Sequence, residues 1–474
     1  MRIPIVPTGP AGPREKCGVF AVSGLENASE LTYLGLYALQ HRGQESAGIA
    51  AWGEDGRMRV HRGMGLVSEV FDDEKLRGLP GRVSIGHVRY STSGDSVLQN
   101  AQPIRATYRE GELALGHNGN LTNAVQLRRR LVSEGAIFQG TSDTEVIVHL
   151  LARSQKPTAE EQVLEALHQI EGAFSLLIQL NDTVYAARDS RGFRPLVVGR
   201  RGSGIVLASE TCAFDLLGAQ TLREVEPGEI LKIHGGEIVG QWRLPKAEPA
   251  ACIFELVYFA RPDSTIWGAS VDRARRAFGR QLAREHPADA DCVFSVPDSS
   301  NSAALGFAEA SGLPLELALI RSHYVGRTFI QPTQASRHFG VRVKYNPVRE
   351  VIDGQRVVIV DDSLVRGTTS RGLVQMIREA GAREIHFRVA SPPIISPCYY
   401  GIDMPTREEL IAANHSVEEI RDMLGVDSLG YLSLEGMHAA VREFGPFCDA
   451  CFTGNYPTVL TDLERGRSLA AKPE

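Results

Sequence analysis

Through the first half of the chain, apolar and polar positions alternate in short bursts separated by glycine. RVSIGHVRYSTSG, GELALGHNGNLT, AFSLLIQLNDTVYAARD, GIVLASE and GEILKIHGGEIVGQW follow this rhythm. A period of two sends side chains to opposite faces of a strand, so these segments predict antiparallel sheet. NAVQLRRRLVSEG, DTEVIVHLLARS and EEQVLEALHQIEG interrupt them with apolar residues at helical spacing. The pattern predicts a layered α+β domain from Cys17 to about Trp242, followed by the proline-bearing linker RLPKAEPAAC.

The rhythm then changes. DCVFSVPDSS, LELALI, RVVIVDD and EIHFRVAS are short and almost continuously apolar, with helices such as SRGLVQMIREAGA between them. Continuous apolarity is what a parallel strand covered on both faces requires. The second half therefore reads as an open, mainly parallel α/β sheet. After Tyr400 the chain turns polar and helical, through TREELIAANHS and SVEEIRDMLG. This gives a leader (1–16), a first domain (17–245) and a second domain (246–474).

Composition narrows the classes. With 474 residues, 43% apolar, 23% charged and a net charge of −6, the chain is ordinary for a water-soluble protein and carries no basic excess for nucleic acid. It has no apolar run of membrane-spanning length, and MRIPIVPTGPAGPREK lacks the apolar segment of a secretory signal. A cytoplasmic protein with neither nucleic-acid nor membrane partner is expected. Seven cysteines, an odd number scattered widely, do not form a disulfide framework.

Two chemistries stand out. CGVFAVSGLE follows the leader directly. If residues 1–16 are removed, Cys17 becomes the first residue, and its own α-amine, titrating near neutrality, can act as base for the thiol. LQHRGQESAG places His41, Arg42 and Gly43 in a compact turn. Glutamine hydrolysis also needs an oxyanion hole, a cation for the substrate carboxylate and an anion for its amine. Asn118 with the Gly119 amide, Arg89 and Asp143 supply one of each. Taken singly, each has an ordinary explanation as turn, strand end or helix cap.

In RVVIVDDSLVRGTTS, a buried strand ends in Asp361 and Asp362, followed by a turn rich in hydroxyls and free amides before a helix. Ligands bind at this edge of open α/β sheets, and such a turn cradles phosphate. Paired carboxylates there can hold ribose hydroxyls or Mg²⁺. SVPDSSNSAALG follows another apolar strand, and RSHYVGRTFIQPTQASRH is a basic, glycine-punctuated loop fit to close over an anion. Cys448 and Cys451 form a CxxC, which alone is compatible with zinc, redox or cluster chemistry. Cys252 and Cys398 lie in distant loops, while Cys212 and Cys292 are assigned to the core.

Together the first-domain residues resemble class II glutamine amidotransferases of the N-terminal-nucleophile type, and VVIVDDSLVRGTT is similar to the signature of type I phosphoribosyltransferases. The pair resembles the family of phosphoribosyl pyrophosphate amidotransferases, in the subgroup with a propeptide and a 4Fe–4S cluster. The resemblance implies an αββα first domain and an α/β phosphoribosyltransferase second domain. It implies catalysis by Cys17, Asn118 and Gly119, with glutamine held by Arg42, Arg89 and Asp143. Phosphoribosyl pyrophosphate would be held by Asp298, Ser300, Arg327, Asp361, Asp362, Ser363, Arg366, Gly367, Thr368 and Thr369. It implies Mg²⁺ at Ser299, Asp361 and Asp362, and an iron–sulfur cluster on Cys252, Cys398, Cys448 and Cys451. Spacing alone leaves zinc open at those thiols. Ser300 departs from the Asp-Ser-Gly common in such families. A homotetramer inhibited by purine nucleotides is also implied. Two rivals remain. A sugar-aminating amidotransferase would lack VVIVDDSLVRGTT, and a phosphoribosyl-sensing regulator would need a DNA-binding segment and no glutaminase.

Overall fold

The computed structural model describes residues 17–90, 95–322, 344–404 and 406–464. The leader, Arg327 and most of the basic loop lie outside the described residues.

Strand Gly18–Ser23 is buried along its whole length because both its faces are covered. Phe20 and Val22 pack beneath the helices Ala28–Ala38 and Cys212–Leu217, while Val19 and Ala21 enter a core shared with a second sheet. This strand is central in a seven-stranded antiparallel sheet. The order runs Gln220–Glu224, Val197–Arg201, Gly204–Ala208, Gly18–Ser23, Val83–Arg89, Ser46–Trp52, Met58–Met64. The facing sheet has six antiparallel strands: Glu237–Arg243, Glu229–His234, Thr183–Arg188, Gly172–Leu180, Gly111–Leu121, Ile104–Tyr108. Leu113, Leu115, Leu176 and Ile178 on its outer face receive the helices Ala124–Ser133, Thr144–Arg153 and Ala159–Leu167. Helix, sheet, sheet, helix is the αββα sandwich expected.

The second half is built on a four-stranded parallel sheet ordered Cys292–Ser295, Arg356–Asp361, Glu384–Val389, Ser428–Tyr431. Val358 and Val360 face the helices Val271–Glu285 and Asn301–Ser311, and Val357 and Ile359 face Thr368–Glu379 and Val417–Leu424. All four side chains are 0% exposed. At about 1.5–3 kcal/mol each, their burial offsets the cost of holding two carboxylates at the strand's end.

Two elements differ from the sequence reading. LELALI meets the parallel sheet only through an isolated parallel bridge from Leu315 to Val293, while Leu319–Arg321 pairs antiparallel with Tyr345–Pro347 and Leu315 and Leu317 are 41% and 77% exposed. Its apolarity is not matched by cover on both faces. Ser428–Tyr431 extends the sheet from a region read as helical, since four residues are too few to carry a period.

Candidate active sites and the cysteine cavity

Antiparallel register brings the first site together. Gly18 pairs with Val88, so Cys17 lies beside the end of the Arg89 strand. The thiol is buried and donates to the Tyr90 carbonyl at 3.5 Å. Burial pushes the thiol up to about 11, with Arg89 opposing and Asp143 reinforcing the shift. Two expected glutamine-binding groups therefore flank the nucleophile electrostatically. Asp143 caps the helix Thr144–Arg153 and accepts from the Leu121 amide at 3.0 Å.

The strand that carries the expected oxyanion residues lies across the sandwich. His87, next to the nucleophile strand, donates from Nε2 to the His117 carbonyl at 3.0 Å, and burial holds it neutral with a pKa lowered to about 3. Asn118 follows. It is 1% exposed, and neither its Nδ2 nor its Oδ1 has a partner among the described residues. A buried unpaired amide is costly and rare; one at the expected oxyanion position is a donor waiting for an acceptor. Gly119 has φ +153, and a Cβ there would overlap the Ala173 carbonyl oxygen.

Arg42 takes a different place from the one expected. It is 1% exposed, with its guanidinium between Glu210 and Glu255 and its Nε donating to the Cys17 carbonyl at 3.2 Å. Burial pushes the Glu210 carboxyl up, but His41 and Arg42 outweigh it and hold the acid well below the usual range. Glu255, on the π-helical turn Glu255–Phe259, also meets Arg194 at 3.4 Å. Arg42 thus braces the backbone at Cys17. The sequence does not mark Glu210, Glu255 and Arg194, because no local pattern reveals a buried charge whose partners in these pairs are 61 to 213 residues away.

At the second site, serine hydroxyls converge on the paired aspartates. Ser299 donates to Asp362, Ser300 to Asp361 at 3.1 Å, and Ser363 to Asp362 at 2.6 Å. Ser300 thereby ties the PDSS turn to the strand end, a task glycine could not perform. Burial, then the charge of Asp362, pushes Asp361 well above the usual carboxylate range. Burial raises Asp362 too, opposed by the Ser299 and Ser363 hydroxyls. Gly367 caps the helix that Thr368 and Thr369 open. Arg366 is turned toward Glu409 at 3.2 Å, and Asp298 toward Arg321 at 2.6 Å.

Cys252, Cys398, Cys448 and Cys451, drawn from three distant segments, line one cavity together with Phe193, Tyr400, Ile402, Ala450 and Tyr456. Strand Ala251–Cys252 pairs in parallel with Phe447–Cys448, which sets two of the thiols side by side. The Tyr400 amide donates to the Cys398 sulfur at 3.3 Å. Burial pushes Cys451 well up, and the other three thiols add to the shift, so the four sulfurs share one field. Among the described residues no group of three or more His, Cys, Asp or Glu is placed to hold a metal ion; the thiols surround a space instead. Cys212 and Cys292 are buried core residues. No helix among the described residues is long and apolar enough to cross a membrane.

A glutamine amidotransferase domain family matches residues 87–215. Over the longer chain, 456 residues are 51% identical to the amidophosphoribosyltransferase of Bacillus subtilis, covering 95% of each chain. Amidophosphoribosyltransferase 2 of Arabidopsis thaliana, a chloroplastic protein, is 51% identical over 96% of this chain and 82% of its own length. The solved structure of glutamine phosphoribosylpyrophosphate amidotransferase from B. subtilis, complexed with ADP and GMP, superposes with a TM-score of 0.89 at 50% identity, over 94% of this chain and 98% of that one. Similarity at this level across both halves means that the chain belongs to the amidophosphoribosyltransferase family, glutamine-dependent pentosyl-transferring enzymes of the first step of purine synthesis.

Proposed function

We propose that glutamine is hydrolysed at Cys17 and that the ammonia is used at the Asp361–Asp362 edge, giving 5-phosphoribosylamine, glutamate and pyrophosphate. The observation that carries this reading is Asn118, whose buried amide has no partner among the described residues, one residue past the His117 carbonyl that accepts from His87 of the facing sheet. The Cys17 thiolate attacks the amide carbon, and the oxyanion that develops is met by Asn118 Nδ2 and the Gly119 amide. Ammonia leaves with the proton taken from the thiol, and water then opens the thioester to glutamate. A thiol titrating near 11 is a weak nucleophile at neutral pH. Removal of residues 1–16 would supply the α-amine that takes its proton. Arg89 and Asp143 would orient the substrate's carboxylate and amine.

At the second site, Thr368, Thr369 and the Gly367 turn would hold the 5-phosphate at the helix start. Asp361 and Asp362 would hold the ribose hydroxyls, and Asp298 to Ser300 with Arg327 the pyrophosphate. Ammonia attacks the anomeric carbon as the bond to pyrophosphate breaks, and one proton leaves the nitrogen. The buried carboxylate pair, raised in pKa by burial and mutual repulsion, fits a divalent cation. With Ser299, Asp361 and Asp362 as its holders, Mg²⁺ would supply neutralisation of pyrophosphate charge. Four thiols around a cavity fit a 4Fe–4S cluster, which fills more space than a single zinc ion; its contribution would be a cross-link of the linker to two carboxyl-terminal loops.

The domain limits at 16/17 and 245/246, a homotetramer, feedback inhibition by purine nucleotides and a cytoplasmic location belong to the same proposal. The ADP and GMP on the B. subtilis relative support nucleotide binding. The test is direct. Anaerobically purified protein beginning at Cys17 should form phosphoribosylamine from glutamine, phosphoribosyl pyrophosphate and Mg²⁺, and Cys17→Ala should do so only from ammonia. Formation from glutamine by Cys17→Ala would refute the reading.

A further inference from the structure

Residues Tyr399–Gly401 belong to the second half of the chain, yet they are wedged between the two sides of the first site. On the oxyanion side, Asn120 Nδ2 donates to the Tyr399 carbonyl at 3.0 Å. Gly401, with φ +94, packs so closely that a Cβ would stand 2.8 Å from the Gly119 carbonyl carbon and 2.9 Å from its oxygen. On the nucleophile side, the Tyr400 carbonyl accepts from Arg194 Nε at 2.9 Å and also from its Nη2. Arg194 meets Glu255 at 3.4 Å, Glu255 accepts from Arg42 Nη2 at 2.9 Å, and Arg42 Nε donates to the Cys17 carbonyl at 3.2 Å. The Tyr400 ring stacks on Phe193 with centroids 4.2 Å apart and planes 17° off parallel. Arg194, Glu255 and Phe193 are 0% exposed, so the chain of contacts is dry and has little room to relax.

We propose that Tyr399–Gly401 is a positioning element for glutamine hydrolysis, a spacer from the phosphoribosyl half that sets the separation between Cys17 and the Asn118–Gly119 donors. None of its residues is among those expected to hold glutamine. Each acts through another group: Gly401 through Gly119, Tyr399 through Asn120, and Tyr400 through Arg194, Glu255 and Arg42. The first site is then incomplete without the second half of the chain, which keeps glutamine from being consumed by a chain whose two halves are not docked. The inference rests on Asn118 and Gly119 being the oxyanion donors.

The test compares glutamine-dependent with ammonia-dependent synthesis in full-length Gly401→Ala, together with the rate at which Cys17 is alkylated by the glutamine analogue 6-diazo-5-oxonorleucine. A misplacement near 1 Å costs about 10²-fold in rate, so hydrolysis and alkylation should fall at least about tenfold. Ammonia-dependent synthesis, which bypasses the first site, should stay within about twofold. Asn120→Ala, which removes the Tyr399 tie without adding volume, should shift the same ratio in the same direction and serves if Gly401→Ala does not fold. Equal loss of both activities, or no change in either, overturns the proposal. Asn118→Ala separates the two readings. If it is inactive toward glutamine while Gly401→Ala and Asn120→Ala are normal, only the spacer is wrong. If Asn118→Ala hydrolyses glutamine normally, the oxyanion assignment itself fails.

Discussion

Replacing Asn118 with alanine should lower the kcat of glutamine hydrolysis by about 10²–10³-fold, about 2.7–4 kcal/mol of transition-state stabilisation, while leaving the fold almost as stable as before. The second half of that expectation comes from the structure. The side chain is 1% exposed, and both polar atoms lack a partner among the described residues. The folded protein therefore already bears about 1–3 kcal/mol for an unpaired buried amide, and truncation removes that cost. Against it stand the dispersion contacts of three heavy atoms and the small cavity left behind. The two terms are similar in size, so the net change should lie within about 1 kcal/mol, a Tm shift of no more than about 4 °C. The assay pairs glutamate release at saturating phosphoribosyl pyrophosphate with a thermal melt of the same sample, and ammonia-dependent synthesis serves as the internal control. Hydrolysis within about threefold of the parent would refute the oxyanion role. A fall in Tm above about 8 °C would instead show that the amide is bonded and structural.

Asp361→Asn should abolish synthesis from either nitrogen source yet melt higher than the parent at pH 7 without metal. The folded pair titrates above the usual range, so the native state holds protons that the unfolded chain releases. Stability therefore falls as pH rises from about 4 through the folded pKa, and the variant's advantage should vanish near pH 4. Arg42→Ala should cost about 3–5 kcal/mol in urea unfolding because it leaves Glu210 and Glu255 buried without their shared cation; a cost below about 1 kcal/mol would count against the brace. Cys448→Ser should abolish iron and sulfide binding and lower the Tm, whereas Cys292→Ser should leave the iron content intact. Equal iron in both variants would show that the cavity is not the cluster site.

The reach of sequence reasoning is clearest where chemistry is local. VVIVDDSLVRGTT sets its strand, carboxylates and helix start within one short run, and the structure delivers them in that order. Alternation likewise predicted Val83–Arg89, Gly111–Leu121, Gly172–Leu180, Thr183–Arg188, Gly204–Ala208, Glu229–His234 and Glu237–Arg243, but not the other six strands of the two antiparallel sheets. Continuous apolarity overreached at LELALI, which meets the parallel sheet only at the Leu315–Val293 bridge, and Ser428–Tyr431 is too short to show a period. Arg42 was legible as a functional turn residue but not as a brace, because its carboxylate partners lie 168 and 213 residues away.

By itself, then, the sequence determined which residue types stand where local backbone geometry does the chemistry: a cysteine before a strand, an Asn-Gly within one, paired aspartates at the end of another. Tertiary structure alone decided which of these meet. Burying the charged chain from Arg42 to Tyr400, drawing four cysteines around one cavity and packing Gly401 on Gly119 all depend on contacts between segments 50 or more residues apart. Such contacts leave no periodic trace in the chain because a group buried there is compensated only when its distant partner arrives, which no single segment can arrange.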